Sequence, residues 1–336
     1  MKLMRAIQIK SPGADFELVQ KEIPEPKNNE VLIKVEACGI CHGDAIAKEG
    51  HMPGIKYPII PGHEVVGIVD KTGSDVTAWK TGQRVGVGWH GGHCFQCHAC
   101  RNGNFGACEK SLTTGLHLDG GYAEYMIARH EVIVSIPEEL TSVNAAPILC
   151  AGRTTFGALK DSNARGGDLV AIHGLGGLGH LAVQYAVKMG FKTVVLSRGK
   201  EKEKLSYRLG AYFYIDTDAS DGAKELTKLG GARVILCTAP NIKAVSALVP
   251  GLGRNGQAII ITGASDMLQV PASLMLGGQR SVRGYVSGNI EEAINFSILT
   301  KITPMIEVFP LEKAAEAFEK MMTAKVHFRA VLKMGH

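Results

Sequence analysis

The chain has 336 residues, too many for one ordinary hydrophobic core, so two domains are expected. Its composition is that of a globular protein: 45% apolar, 21% charged, with 41 glycines that suit tight turns and close backbone approaches. A net charge of +5 with no basic tract argues against nucleic acid as a partner and only weakly favours anionic ligands.

Residues 1–10 alternate like a first strand and lack the long apolar region of a signal peptide. No run approaches ~18 apolar residues, so no membrane span and a cytoplasmic location are expected. From Val31 to about Arg129 the chain is rich in glycine, proline and short β-like runs such as Val31–Val35 and Val65–Val69. Helical periodicity is nearly absent there, which predicts a small, irregular β-rich domain.

Within that stretch lie four of the eight cysteines, Cys94, Cys97, Cys100 and Cys108. Thiolates at this spacing can wrap tetrahedrally around zinc and leave no open position, so the metal would be structural. An iron–sulfur cluster also uses four thiolates, and paired disulfides are a further alternative. With four cysteines available, His90, His93 and His98 are surplus as ligands and are expected at the surface. Cys41, His63, Glu64 and Cys150 are spread along the same half, and each taken alone is unremarkable.

After Leu140 the pattern changes. A buried strand at Asp168–His173 precedes Gly174, Gly176, Gly177 and Gly179, and an amphipathic helix built on Leu178, Leu181, Ala182, Tyr185, Ala186 and Met189 ends at Gly190. G-x-G-x-x-G between strand and helix is the dinucleotide fingerprint, with the pyrophosphate at the helix N-terminus. Strands at Thr193–Ser197, Tyr212–Ile215, Arg233–Thr238, Gln257–Thr262 and Arg280–Tyr285 alternate with helices at Lys200–Leu209 and Asp221–Leu229. This order predicts a parallel, doubly wound sheet. A helix near Glu312–Met322 and a strand at Phe328–Lys333 close the chain.

An NAD enzyme usually carries Asp or Glu about 20 residues past the glycines, to bond the ribose 2′-hydroxyl. This chain has Ser197 there, followed by Arg198, Lys200 and Lys202. Without a carboxylate to repel a 2′-phosphate, by about 4 kcal/mol at ~4 Å and an effective dielectric near 20, the residues favour NADP over NAD. The alternative is that Lys200 and Lys202 simply solvate a helix beside Glu201 and Glu203.

Several separated motifs occur in one order: Cys38-Gly39-Ile40-Cys41-His42-Gly43-Asp44, then Pro61-Gly62-His63-Glu64-Val65-Val66-Gly67. The four cysteines come next, followed by Leu149-Cys150-Ala151-Gly152-Arg153-Thr154-Thr155, the glycine motif and Arg283-Gly284. Together they resemble the zinc-dependent medium-chain alcohol dehydrogenases over essentially the whole chain. The resemblance implies a GroES-like catalytic domain (1–149 and 286–336) and a Rossmann domain (150–285), with the active site in a cleft between them. It implies Cys41, His63 and Cys150 as catalytic zinc ligands, the two-cysteine, one-histidine set known for alcohol dehydrogenases. Glu64 would be a neighbour exchanging with bound water, and Asp44 would hold the His63 ring. Cys150 and the cysteine knot set the chain apart from similar polyol dehydrogenases, which commonly have a carboxylate as third ligand and often lack the knot.

The resemblance further implies cofactor contacts from His42, Thr154, Gly174, Gly176, Gly177, Leu178 and Gly179. Ser197, Arg198 and Lys202 match NADP-preferring cinnamyl-type members. Trp89 and Ile46 would line the substrate pocket, which His51 could also face. The implied reaction is hydride transfer between the nicotinamide and a primary alcohol/aldehyde pair, aliphatic or aromatic, by a homo-oligomer, tetramer or dimer, holding two zincs per chain. One departure stands out. The family's Ser or Thr two residues after the first ligand is Gly43, and its relay histidine is matched by Ile46. A missing general acid–base is worth on the order of 10²–10⁴ in rate. A zinc-binding, cofactor-sensing protein with impaired turnover is therefore the alternative expectation. A zinc-free quinone reductase of the same superfamily would lack the ligands.

Overall fold

The computed structural model describes residues 2–263, 266–286 and 288–335. The chain divides into two compact units, one of Met1–Cys150, Ile290–Ile298 and Pro304–His336, the other of Ala151–Asn289 and Leu299–Thr303.

The first unit is β-rich. Its seven-stranded sheet runs Ile306–Pro310, Arg329–Lys333, Glu30–Ile40, Glu64–Thr72, Arg84–Val87 and Ile133–Ser135 in space, with Tyr125–Arg129 also pairing with Glu30–Ile40. A separate hairpin joins Leu3–Ile9 to Phe16–Glu22. Alternating apolar residues such as Val31, Ile33 and Val35 pack against Val65, Val69, Val85 and Met126 to form the core. The strand at 31–35 runs on to Ile40 and the one at 65–69 to Thr72. The region expected to lack helices contains a short one, Gly43–Glu49, closed by Gly50 in the left-handed conformation (φ 76°). Seven residues between glycines are too few to show a helical period.

The second unit carries a six-stranded sheet in the order Phe213–Asp216, Lys192–Ser197, Leu169–His173, Ala232–Cys237, Leu252–Ile260, Ser281–Gly284, with every pair parallel. Chain order reverses between Leu169–His173 and Ala232–Cys237, so those two strands flank the topological switch point at which such sheets bind ligands. Leu169–His173 is buried throughout, as a central parallel strand should be. Helix Gly222–Lys228 starts at Asp221, whose carboxylate accepts the N–H groups of Ala223 and Lys224. The fold is mixed α/β: a GroES-like β-rich part and a Rossmann doubly wound sheet. Among the described residues no helix is long and apolar enough to cross a membrane.

Candidate functional site

Four side chains from separate parts of the first unit converge. Cys41 follows the strand Glu30–Ile40, His63 and Glu64 stand at the start of Glu64–Thr72, and Cys150 lies between the turn Ala146–Leu149 and the helix Ala151–Lys160. One ligand atom from each lies within 4.8 Å of all the others. The Cys41 and Cys150 sulfurs are 3.9 Å apart, close to the ~3.8 Å edge of a tetrahedron with zinc–sulfur bonds of about 2.3 Å. His63 and Glu64 are fully buried, yet among the described residues His63 Nε2 and Glu64 Oε2 have no hydrogen-bond partner. Buried polar atoms are normally paired, and both orphans belong to residues of this cluster.

The opposite side of each group is fixed. Asp44, buried in the first turn of Gly43–Glu49, accepts the Cys41 N–H at 2.9 Å, the Tyr122 hydroxyl at 2.9 Å and His63 Nδ1 at 3.0 Å. A proton held on Nδ1 by Asp44 leaves the Nε2 lone pair free. Gly62 makes room for this arrangement: it sits at φ 101°, and a Cβ there would come 2.4 Å from the Tyr122 ring.

Glu64 Oε1 accepts from Arg329 Nη2, and the pair is buried. Their strands are not neighbours, for Glu30–Ile40 lies between them, with Gly39 opposite both Glu64 and Val331. A Cβ on Gly39 would sit 1.9 Å from Glu64 Oε2, so the bare glycine lets the carboxyl pass over the middle strand to the guanidinium. Burial pushes the Glu64 carboxyl up to about 7, against the pull of Arg329. Burial also works against the Arg329 charge, but Glu64, Cys41 and Cys150 outweigh it and hold the guanidinium protonated.

The second cluster is of another kind. Cys94, Cys97, Cys100 and Cys108 bring four sulfurs within 4.8 Å of one another. Backbone N–H groups point at them: Gln96 and Cys97 at Cys94 Sγ (3.5 and 3.3 Å), Cys94 and Lys110 at Cys108 Sγ (3.4 and 3.3 Å). Backbone donors from Cys100 and Glu109 pull the Cys97 thiol down to about 6. A thiolate shell held by amides is what a closed tetrahedral zinc needs. The cysteines are free of disulfides. The expectation for His93 is corrected: it is 6% exposed, stacked on Phe105 (4.1 Å between centroids) and 2.9 Å from His90 Nε2. The aromatic rings Phe95 and Phe105 cover it, a packing that the ligand count alone does not foresee.

In the second unit the glycine-rich turn shows the division of labour expected of the fingerprint. Gly174 has φ 95°, a Cβ on Gly179 would stand 2.0 Å from the Gly174 carbonyl oxygen, and Gly176 faces open space. These are the tight turn, the close helix–strand contact and the unobstructed approach for a pyrophosphate.

Known proteins share this combination. Residues 27–138 match the alcohol dehydrogenase GroES-like domain and residues 177–299 the zinc-binding dehydrogenase domain. An alcohol dehydrogenase of Penicillium expansum is 44% identical, covering 97% of this chain and 96% of its own. One from Geobacillus stearothermophilus is 38% identical, covering 98% and 99%. The structure of CAD from Helicobacter pylori complexed with NADP(H) superposes with a TM-score of 0.86 at 28% identity, covering 98% of each chain.

The chain belongs to the zinc-dependent medium-chain alcohol dehydrogenase family. It is an oxidoreductase whose substrate is a small molecule.

Against the family pattern, the surroundings of Gly43 explain the chain's departure. A Cβ at Gly43 would lie 2.7 Å from Trp89 Cζ3 and 2.9 Å from His63 Cε1. The Trp89 indole meets the His63 ring edge-on at 4.7 Å between centroids and 88°, so the two rings occupy the volume that a side chain at 43 would need. Ile46 is half-buried and packs with Trp89 on the cluster of Ile9, Ala47, Ile59 and Leu116. His42 is exposed, and His51 is exposed beside Glu49 (3.3 Å).

At the position expected to meet the ribose, Ser197 ends its strand half-buried and Arg198 is exposed. Lys202 Nζ donates to the Leu175 carbonyl at 3.0 Å, tying the start of helix Glu203–Arg208 to the glycine turn. Asp216, opposite Ser197 on the next strand, turns its carboxylate to the N–H groups of Gly199 (2.9 Å) and Asp218 (3.0 Å). Thr154 is buried in the helix Ala151–Lys160. Two residues of the first cluster escape sequence reasoning, Tyr122 and Arg329. The only signals for them are a lone arginine heading the apolar run Ala330–Leu332 and a glycine inside the strand Glu30–Ile40.

Proposed function

We propose that this chain is a two-zinc, NADP-preferring alcohol dehydrogenase that transfers hydride between the nicotinamide and a primary alcohol/aldehyde pair, aliphatic or aromatic. The observation carrying this reading is the first cluster, with two sulfurs, an imidazole and a carboxyl drawn together and two buried polar atoms unpaired. That donor set fits a catalytic zinc: Cys41, His63 and Cys150 would hold it, with Glu64 beside them, and the four-cysteine shell fits a structural one. Bound there, zinc supplies Lewis-acid stabilisation of negative charge on the substrate oxygen.

The chain's own residues do the rest. Asp44 fixes the His63 tautomer, Tyr122 steadies Asp44, and Arg329 balances the buried Glu64 charge. Trp89 and Ile46 offer the substrate an apolar wall. With glycine at 43 and isoleucine at 46, the alcohol proton leaves to water without a side-chain hydroxyl in between. Catalysis is assigned to 1–149 and 286–336 and nucleotide binding to 150–285. Gly174, Gly176, Gly177, Leu178 and Gly179 would receive the pyrophosphate, helped by His42 and Thr154, while Ser197, Arg198 and Lys202 would take the 2′-phosphate. The Helicobacter pylori relative binds NADP(H), which supports the same preference here. A homo-oligomer fits the edge strand Ser281–Gly284, flanked by exposed Leu276 and Val286.

The test is the initial rate of benzaldehyde and butanal reduction with NADPH and NADH on zinc-replete enzyme. The reading expects turnover favouring NADPH, and Ser197→Asp should weaken NADPH by about a hundredfold or more through charge repulsion. Preference for NADH would remove the 2′-phosphate assignment. The Trp89 ring beside Gly43 favours one other reading, a cofactor-sensing protein. Tight NADPH binding without turnover would support it.

A further inference from the structure

In the first unit a surface loop runs from the helix Gly43–Glu49 to Ile59, which bridges to Ile9. Among the described residues a single hydrogen bond reaches the backbone of residues 52–58, and it comes from a side chain 64 residues away. His117 Nε2 lies 3.2 Å from the Pro53 carbonyl oxygen. The ring chemistry fixes the direction of that bond. His117 Nδ1 stands 3.1 Å from the Thr113 backbone nitrogen, whose N–H can only donate, so Nδ1 is the acceptor and carries no proton. The ring proton is therefore on Nε2, which donates to Pro53. Gly54 has φ 86°, and a Cβ there would stand 3.4 Å from Nε2, so the left-handed turn at Pro53–Gly54 packs against the imidazole itself.

The turn that carries His117 is anchored at its other end. Thr113 pairs with His90, and the Thr114 N–H donates to the Trp89 carbonyl at 3.1 Å. A Cβ on Gly115 would come 2.7 Å from the backbone nitrogen of Gly62, the residue before His63. This turn therefore has no slack on the side of the first cluster. On the apolar side Leu116 joins Ile9, Ala47 and Ile59 in one buried cluster, and Ile46, Met52, Ile55 and Trp89 all pack on it. His117 links the two halves of that arrangement. It ties a loop with little backbone bonding of its own, carrying Met52 and Ile55, to the turn that holds the Trp89 backbone.

We propose that His117 is a positioning residue for substrate selectivity, whose bond to Pro53 seats the 52–58 loop against the apolar wall of Trp89 and Ile46. The inference rests on the assignment of that wall above and deepens it. The test compares zinc-replete wild type with His117→Asn and His117→Gln in steady-state reduction of benzaldehyde and butanal at saturating NADPH. Asparagine offers its carbonyl oxygen where Nδ1 stands, so it keeps the Thr113 bond and loses the one to Pro53. Glutamine reaches as far as Nε2 and restores a donor to Pro53. His117→Asn should raise KM for benzaldehyde, whose ring covers more of the wall, by about fivefold, the ratio for one lost hydrogen bond of ordinary strength. The change for butanal should be smaller and kcat nearly constant, as for a loss of uniform binding. His117→Gln should return most of the benzaldehyde KM. In ¹⁵N-histidine spectra of the wild type, His117 should carry its proton on Nε2. Wild-type KM values in His117→Asn with full zinc content would make the residue a packing group. So would equal changes for both aldehydes, or a loss that glutamine does not repair. A proton on Nδ1 in the wild type would overturn the proposal however the variants fold. If wild type reduces neither aldehyde, the dehydrogenase reading itself fails and takes this one with it.

Discussion

The two cysteine clusters share one unit, yet they are built on opposite principles. In the 94–108 knot the four candidate ligands are all sulfurs and the N–H groups that point at them belong to the same short loop. In the 41–63–64–150 cluster the ligand atoms differ in kind and the supports come from distant strands. Two polar atoms there are buried without a partner among the described residues. A uniform, locally supported shell serves folding, because it closes on itself. A mixed shell with a carboxyl in attendance leaves a position to exchange and serves chemistry. Beside that second cluster lies the buried Arg329–Glu64 pair, with Gly39 beneath it.

The sharpest break between the clusters should come from the knot. Zinc in small structural sites contributes on the order of 10 kcal/mol. Cys97→Ser should therefore lower zinc content by one per chain and the melting temperature by at least about 10 °C, at ~2–4 °C per kcal/mol for a domain of this size. A variant that keeps the wild-type melting temperature would make the knot dispensable for folding.

Next in size is Arg329→Ala, which leaves Glu64 buried and unpaired. Breaking such a pair costs about 3–5 kcal/mol, readable by urea unfolding of enzyme stripped of its catalytic metal. The pH dependence carries a sign. Folded Glu64 titrates near 7, above the ordinary carboxyl value, so the folded chain binds the extra proton and this group's stability falls as pH rises from about 4.5 to 7. Without Arg329 that window extends upward. The variant should therefore lose little relative to wild type at pH 5 and most at pH 8. A loss independent of pH would place the arginine's role in packing.

Asp44→Asn keeps the shape but removes the charge shared by three donors. Outer-shell partners of ligating histidines are worth about 10–100-fold in metal affinity or activity. That loss should appear in the catalytic zinc alone, measured as zinc retained against a competing chelator, with the knot unaffected. Equal loss from both clusters would show that they are not independent.

The smallest effect concerns Gly43. Restoring a hydroxyl with Gly43→Ser should not raise kcat, because the side chain meets Trp89 and His63. Overpacking of this kind costs about 1–3 kcal/mol. In a Trp79→Phe background, where Trp89 is the remaining tryptophan, its emission should shift. A gain in kcat with unchanged emission would mean that the ring yields easily and that only the relay was missing.

What the sequence made legible follows the same contrast. The knot could be read from spacing alone, since its ligands and their amide donors lie within one loop. The glycine turn was equally plain, because strand, glycines and helix are contiguous. Asp44 stands three residues from Cys41 and its motif pointed to it. Arg329 is 265 residues from Glu64, and no local pattern joins the two across Gly39. Tyr122 reaches Asp44 from 78 residues away and was equally hidden. Helix Ile290–Thr300 lay outside the sequence reading although Ile290, Ala293, Ile294 and Ser297 carry its period. Helix Gly43–Glu49 is too short to show one. Gly43 read as a missing relay residue, and only the Trp89 ring shows that the space beside it is filled.

The central claim is that one cluster is open and catalytic while the other is closed and structural. The most direct test follows zinc content, turnover and melting temperature together during timed treatment with 1,10-phenanthroline. The account predicts that zinc falls from two per chain to one as turnover disappears, while the melting temperature stays near its starting value until the second zinc leaves. Simultaneous loss of both zincs, or full turnover in the one-zinc enzyme, would contradict it.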